Sequence, residues 1–420
     1  MSIFNKFESN VRSYCRSFPA VFSKAKLCCL YDEHGEGYLD FFAGAGALNY
    51  GHNNEHIIAP IIEYLQNDGV LHALDMSTIA KRQFMEAFEN RILNPRGLNY
   101  RIMFCGPTGT NAVEAAIKVA RNVKKRNTIF SFSGAFHGVT LGSLALTSNT
   151  LKREAAGVPL NDVVFMPYPF GFNNCFDTIQ YIENAITDDH SGIEKPTAVI
   201  VETLQGEGGV VVADTEWLKR LRQMCNEHDI LLICDDIQAG CGRTGDYFSF
   251  ERAGIVPDIV TVSKSISGSG LPLSFVLLKP ELDILNSGDH NGTFRGNQLA
   301  FIGGYAAITL MEDIKLLDAV KEKGTYVTEY IQSHIISKYP KLMHRGLGLI
   351  HGIDFSNVDA AICKMVSFEC FKNKLLIETA GRNQGVLKLL PPLIITMDEL
   401  KTGLEIIEQG IQRVMEHYKN

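Results

Sequence analysis

The chain has 420 residues, 45% hydrophobic and 21% charged, with a formal net charge of −7. That is enough for two or three cores, or for one large α/β domain with a smaller appended one; the mild acidity argues against a nucleic-acid partner, and no apolar run approaches the ~18 residues of a membrane-spanning helix. Ten cysteines occur without CxxC spacing and no apolar leader is visible, so a cytoplasmic protein with reduced thiols, no signal peptide and no metal is expected.

In chain order, "HIIAPIIEYLQ" (56–66) has helical spacing. From about residue 100, short apolar runs alternate with amphipathic stretches. The pattern predicts strands at "YRIMFCG" (100–106), "NTIFSFSG" (127–134), "DVVFMPY" (162–168), "TAVIVET" (197–203), "ILLICDD" (230–236) and "DIVTVS" (258–263). It predicts helices at "NAVEAAIKVARNVKK" (111–125), near "FDTIQYIENAIT", and at "TEWLKRLRQMCNEHD". Val/Ile-rich strands alternating with such helices mean a mostly parallel sheet covered on both faces. Longer helices follow residue 300, then a mixed segment with "GLGLIHGIDF" and "VLKLLPP". The fold class is therefore α/β, with a large domain over residues 61–305 and a smaller α+β domain built from 1–60 and 306–420.

Ligands of such sheets bind outside the carboxyl ends of the strands. Five strand ends here carry polar groups or glycines: "CGPTGTNAVEAA", "SGAFHG", "ETLQGEGG", "DDIQAG" and "SKSISGSG". Gly106, Gly109 and Thr110 lie where a helix start offers N–H groups to an anion. Asp235 ends the fifth strand and Lys264 follows the sixth, about one strand–helix–strand interval later. Pyridoxal phosphate would explain both, since it needs an amine for a Schiff base and a carboxylate to keep its pyridine nitrogen protonated. Gly109 and Thr110 would then cradle the phosphate, and Phe136 would cover the ring.

"CDDIQAGCGRTG" followed by "DIVTVSKSISG" resembles the signature of class III aminotransferases, which are fold-type-I pyridoxal-phosphate enzymes. "ETLQGEGG", "FHG" and "GTFRGNQLAF" occur in that family's order, and the resemblance covers nearly the whole chain. "FFAGAGALNYGHNN", "SKSISGSGLPLSFVLLKPELDI" and "HNGTFRGNQLAF" are most similar to the branch acting on the terminal amine of L-2,4-diaminobutyrate in ectoine synthesis.

The resemblance implies that Lys264 is the Schiff-base lysine and proton shuttle, that Asp235 pairs with the pyridine nitrogen, and that Gln238 meets the phenolic oxygen of the ring. It implies that Thr293 reaches the cofactor phosphate of a neighbouring subunit, making a homodimer with shared sites, open to further assembly. His137 suits a cofactor contact or a structural part equally, Asp236 is read as support, and Arg243 as a brace for its loop. Glu202 and Glu207 resemble acids lining the substrate side.

Two departures bear on substrate choice. Many relatives that act on terminal amines read "FHGRT", but Val139 stands at the Arg position here. Lys388 in "KLLPPL" holds the place of an Arg in ornithine-type relatives, and Arg295 fills a position that is commonly Gly. Glu202, Glu207, Arg295 and Lys388 are thus the candidate substrate residues, with an amino donor and a keto acid as small-molecule partners. The expected reaction is transamination between glutamate and the terminal nitrogen of diaminobutyrate. The alternatives are a 4-aminobutyrate or ornithine type of transaminase, a pyridoxal-phosphate aminomutase, and a non-catalytic dinucleotide-binding protein. The last lacks support, because it would leave Lys264 and Asp235 without a purpose.

Overall fold

The computed structural model describes residues 2–170 and 176–418. At its centre is a seven-stranded sheet of β1 (Arg101–Phe104), β2 (Ile129–Phe132), β3 (Val163–Met166), β4 (Ala198–Val201), β5 (Leu231–Asp235), β6 (Ile259–Val262) and β7 (Phe275–Leu278). Their order across the sheet is β1-β7-β6-β5-β4-β2-β3. β4 pairs in parallel with β5 and with β2, and β5 with β6, whereas β7 runs antiparallel between β6 and β1. All residues of β2, β4, β5, β6 and β7 are buried, as expected of strands covered on both faces.

β7 is absent from the strands read in the sequence. The connection from β6 to "SFVLL" holds a 3-10 turn at Lys264–Ser267 and no crossover helix, so the chain folds back antiparallel. The apolar run Phe275–Leu278 between Pro272 and Pro280 carried that signal.

Helix α1 (Glu55–Gln66) starts at Asn54, whose side chain caps His56 N at 3.1 Å. Helix α2 (Gly109–Lys124) buries Ala112, Ala115, Ala116 and Ala120; these small side chains let it lie close on the sheet. Helices α3 (Thr178–Thr187) and α4 (Thr215–Glu227) begin at Asp177 and Asp214, each capping two backbone N–H groups, the geometry expected of acidic N-caps. Helix α5 (Gln298–Asp313) is buried nearly all round and packs on α1. Phe301 of α5 lies 5.0 Å from Phe104 and 5.5 Å from Phe84, ring centre to ring centre, tying α5 to the edge of the sheet at β1. The divisions expected at 60/61 and 305/306 both fall within this packed helix pair.

The chain ends meet. An N-terminal meander of Phe22–Lys26, Cys29–Asp32 and Gly37–Asp40 is extended by Leu375–Leu376, which pairs in parallel with Leu39 and Asp40. A second sheet contains β8 (Met343–Leu347), β9 (Ile350–Asp354), β10 (Glu378–Ala380) and β11 (Val386–Leu389), in the order β8-β9-β11-β10. The β8–β9 turn requires Gly348: its φ is +59°, and a Cβ there would sit 2.4 Å from the Arg243 carbonyl. Arg243 is itself fully buried and donates to the carbonyls of Leu349 and Pro391 and to Asn49 Oδ1. It therefore joins the central segment to both chain ends. Among the described residues no helix is long and apolar enough to cross a membrane.

Candidate active site

β5 and β6 are parallel neighbours, so their carboxyl ends open on the same edge. Asp235, the last residue of β5, is 5% exposed. Its Oδ1 accepts from Thr261 Oγ1 at 3.0 Å and from Ile237 N at 3.2 Å, while Oδ2 meets His137 Nδ1 at 2.6 Å. Lys264, two residues beyond β6, has φ +52°, a left-handed conformation that costs a non-glycine residue energy and is held by its surroundings. No hydrogen bond or ion pair to the Lys264 amine is formed among the described residues. Burial lowers its pKa, Glu207, Glu378 and Asp235 oppose that shift, and Lys388 adds to it.

These groups line a cavity of about 160 Å³ together with Gly109, Thr110, Phe136, Gly138, Glu202, Glu207 and Gln238. His137 is buried, and burial disfavours its charge, but the hydrogen bond and field of Asp235 hold its pKa above the ordinary value. Its Nε2 has no partner among the described residues. Glu202 Oε1 accepts from Phe136 N at 2.9 Å and so fixes the backbone that carries the aromatic ring. Burial, reinforced by the like charge of Asp235, pushes Glu202 up to about 7.

One end of the cavity gathers the start of α2, where the first N–H groups have no intrahelical partner. Thr110 Oγ1 meets Thr140 Oγ1 at 2.6 Å and also contacts Ser143 Oγ. Gly109 and Gly138 leave room there: a Cβ on the first would meet Ile237, and on the second the Thr110 hydroxyl. Hydroxyls, N–H groups and glycines at a helix start suit a phosphate. With an amine, a carboxylate and an aromatic face close by, the donor set fits a phosphorylated pyridine aldehyde.

The opposite end is charged. Gln238 Nε2 donates to Ala45 O at 3.1 Å and to Glu207 Oε1 at 3.4 Å, and its Oε1 has no partner among the described residues. Glu207 Oε1 also accepts from Lys388 Nζ at 2.5 Å, and Glu378 Oε1 lies 3.0 Å from the same ammonium. Lys388 is wholly buried, yet the two carboxylates hold its pKa above the ordinary value, and it in turn holds Glu207 below the usual carboxylate range.

A family model for class III aminotransferases matches residues 12–411. The chain belongs to the class III aminotransferases. It is 52% identical over 416 residues to the diaminobutyrate–2-oxoglutarate transaminase of Nocardia farcinica, covering 98% of this chain and 94% of that one. It is 49% identical over 418 residues to the protein of the same name from Halalkalibacterium halodurans, covering 99% and 97%. Its structure is similar to the ornithine aminotransferase of Toxoplasma gondii, with TM-score 0.86, 25% identity and coverage of 99% and 94%. An aminotransferase of Bacillus anthracis shares the fold with TM-score 0.87 at 24% identity, covering 98% and 97%.

In this aminotransferase, nine residues singled out in the sequence line one cavity: Gly109, Thr110, Phe136, His137, Glu202, Glu207, Asp235, Gln238 and Lys264. Lys388 joins them through Glu207. It is a buried strand residue of β11, because "VLKLLPP" pairs on both sides, with β9 and with β10. Thr293 and Arg295 are not brought to the cavity of the same chain. Thr293 is exposed, and Arg295 Nε donates to Phe104 O at 2.7 Å, so within one chain Arg295 braces the end of β1 and does not line the pocket. Val139 is likewise turned outward, 56% exposed. Sequence reasoning missed Glu378, Thr261 and Ser143. Glu378 had one usable signal, an acid in the apolar run "LLIETA".

Proposed function

We propose that this enzyme transaminates the terminal amine of L-2,4-diaminobutyrate with 2-oxoglutarate, giving L-aspartate 4-semialdehyde and L-glutamate, and running reversibly. The observation that carries the reading is the near-full-length identity of 49–52% to relatives bearing that activity in their names. The charged end of the cavity supports it, because both substrates present a charged group distant from the reacting nitrogen.

Pyridoxal phosphate, when bound, supplies an aldehyde and an electron-withdrawing pyridinium that weakens the C–H bond beside an amine. Lys264 is assigned as its tether. When a substrate amine takes its place, Nζ would take the proton from the carbon bearing the nitrogen and return it to the carbon on the other side of that nitrogen. Burial lowers the pKa of that amine from its ordinary value, in the direction that favours a base. Asp235 holds the pyridine nitrogen protonated, with His137 and Thr261 fixing its two oxygens. Gly109, Thr110 and Ser143 would receive the phosphate, Phe136 would cover one ring face, and Gln238 would lie beside the phenolic oxygen. Glu202 sets the position of Phe136.

The reading extends to a cytoplasmic homodimer in which Thr293 serves the partner's site, and to a supply of diaminobutyrate for ectoine synthesis. We assign the helix pair α1–α5 to the cofactor-binding unit, with the small domain formed by the segments before Glu55 and after Asp313. The test is a panel of diaminobutyrate, ornithine and 4-aminobutyrate with 2-oxoglutarate, reading glutamate and the oxo product. Diaminobutyrate should be preferred at least tenfold in kcat/KM; preference for either competitor would overturn the reading. Turnover without 2-oxoglutarate would indicate a mutase.

A further inference from the structure

The phosphate end of the cavity has two walls, the start of α2 and the segment 138–143 that follows β2. Glu114 stands one helical turn beyond Thr110 on the same face of α2. Its carboxylate reaches the opposite wall, where Oε1 accepts from Gly142 N at 3.1 Å and from Thr140 Oγ1. Gly142 admits this approach, because a Cβ there would sit 2.9 Å from Glu114 Cδ.

Thr140 is the N-cap residue of the short helix Leu141–Leu146, and Gly142 is the second residue of that helix. A threonine in this place ordinarily turns its hydroxyl onto a backbone N–H of its own first turn. Thr140 makes no such bond among the described residues. Glu114 takes the N–H instead, so the Thr140 hydroxyl turns away from its helix. Its only proton goes to Glu114, so it can only accept from Thr110 Oγ1, 2.6 Å away, and from Ser143 Oγ, at 3.0 Å. The three hydroxyls are thereby ordered relative to one another.

We infer that Glu114 is a positioning residue for the cofactor phosphate: it caps the helix Leu141–Leu146 from α2, and so holds Thr140 in one cluster with Thr110 and Ser143. It acts through Thr140 and not by contact, since a carboxylate and a phosphate repel each other. The role rests on the placement of the phosphate at the start of α2 given under Proposed function.

The test compares two ligands of the full-length apoenzyme by equilibrium titration: pyridoxal phosphate, and pyridoxal, which lacks the phosphate. In Glu114→Ala, Thr140 can turn back and cap its own helix, so the melting temperature of the apoenzyme should hold within about 2 °C. The dissociation constant for pyridoxal phosphate should rise at least tenfold, and that for pyridoxal less than threefold. Glu114→Gln, whose amide oxygen can accept the same two bonds, should recover most of the loss. Equal losses for the two ligands, or no loss, would overturn the assignment. If Glu114→Ala does not fold, Thr140→Val decides. It removes the held hydroxyl and leaves Glu114 in place, with a phosphate-selective loss of at least threefold expected and an equal or absent loss contradicting the role. Thr110→Val separates the two readings. If it too shows no phosphate-selective loss, the placement of the phosphate fails and the role of Glu114 with it; if it alone shows one, the placement stands and the role of Glu114 falls.

Discussion

Asp235 and His137 are joined oxygen to nitrogen at 2.6 Å on the floor of the cavity, both buried. The contact couples the end of β5 to the turn after β2, so the carboxylate has one fixed direction.

Asp235→Asn should slow turnover by at least a hundredfold and weaken cofactor retention. A neutral amide does not favour a protonated pyridine nitrogen, so the electron sink fails. Single-turnover rates check this. A loss below about tenfold, ~1.4 kcal/mol, would move the role away from Asp235. His137→Asn should have a smaller effect of the same kind, since Thr261 still holds Oδ1.

Lys264→Ala should abolish transamination while leaving the fold intact. Its amine takes part in no hydrogen bond that stabilises the chain among the described residues, and alanine removes a long side chain from the cavity. Thermal unfolding and the visible absorbance of lysine-bound cofactor are the readouts. Turnover near the native rate would sink the assignment.

Thr293→Ala should weaken cofactor retention even though Thr293 is exposed in its own chain. In a verified heterodimer of Thr293→Ala with Lys264→Ala subunits, one site draws both altered residues and the other draws neither. Half of the native activity is expected. No activity, or full activity, would contradict sharing across the interface.

Asp236 should set part of the pH dependence of stability. Burial raises its pKa from 3.8 to about 7, against the opposing hydrogen bonds of Ser249. The folded state therefore binds this proton more tightly than the unfolded chain. The stability it contributes is full below about pH 4 and is lost as pH rises through about 7. Asp236→Asn, which cannot ionise, should flatten the fall in Tm across that window; an unchanged slope would refute the cause given.

The parallel strands were legible because buried β-rich runs alternate with amphipathic helices, and the cavity-lining residues because they follow strand ends on one edge. β7 was not, since an antiparallel return has no crossover helix to announce it. Lys388 could be singled out from its neighbours in sequence, but its setting could not. Only the ladder that pairs it with Glu378 shows a buried cation with two partners, and residues 378 and 388 look unrelated along the chain. The distant position of Arg295 had the same origin: nothing in "GTFRG" tells that its side chain turns back to the Phe104 carbonyl.

The central claim is that the terminal nitrogen of diaminobutyrate leaves. L-2,4-diaminobutyrate carrying ¹⁵N only at its terminal amine, incubated with 2-oxoglutarate and holoenzyme, tests it directly by mass spectrometry of the glutamate formed. The account predicts ¹⁵N-labelled glutamate and unlabelled L-aspartate 4-semialdehyde. Unlabelled glutamate, with the label retained in the oxo product, would show that the α-nitrogen is taken and would contradict it.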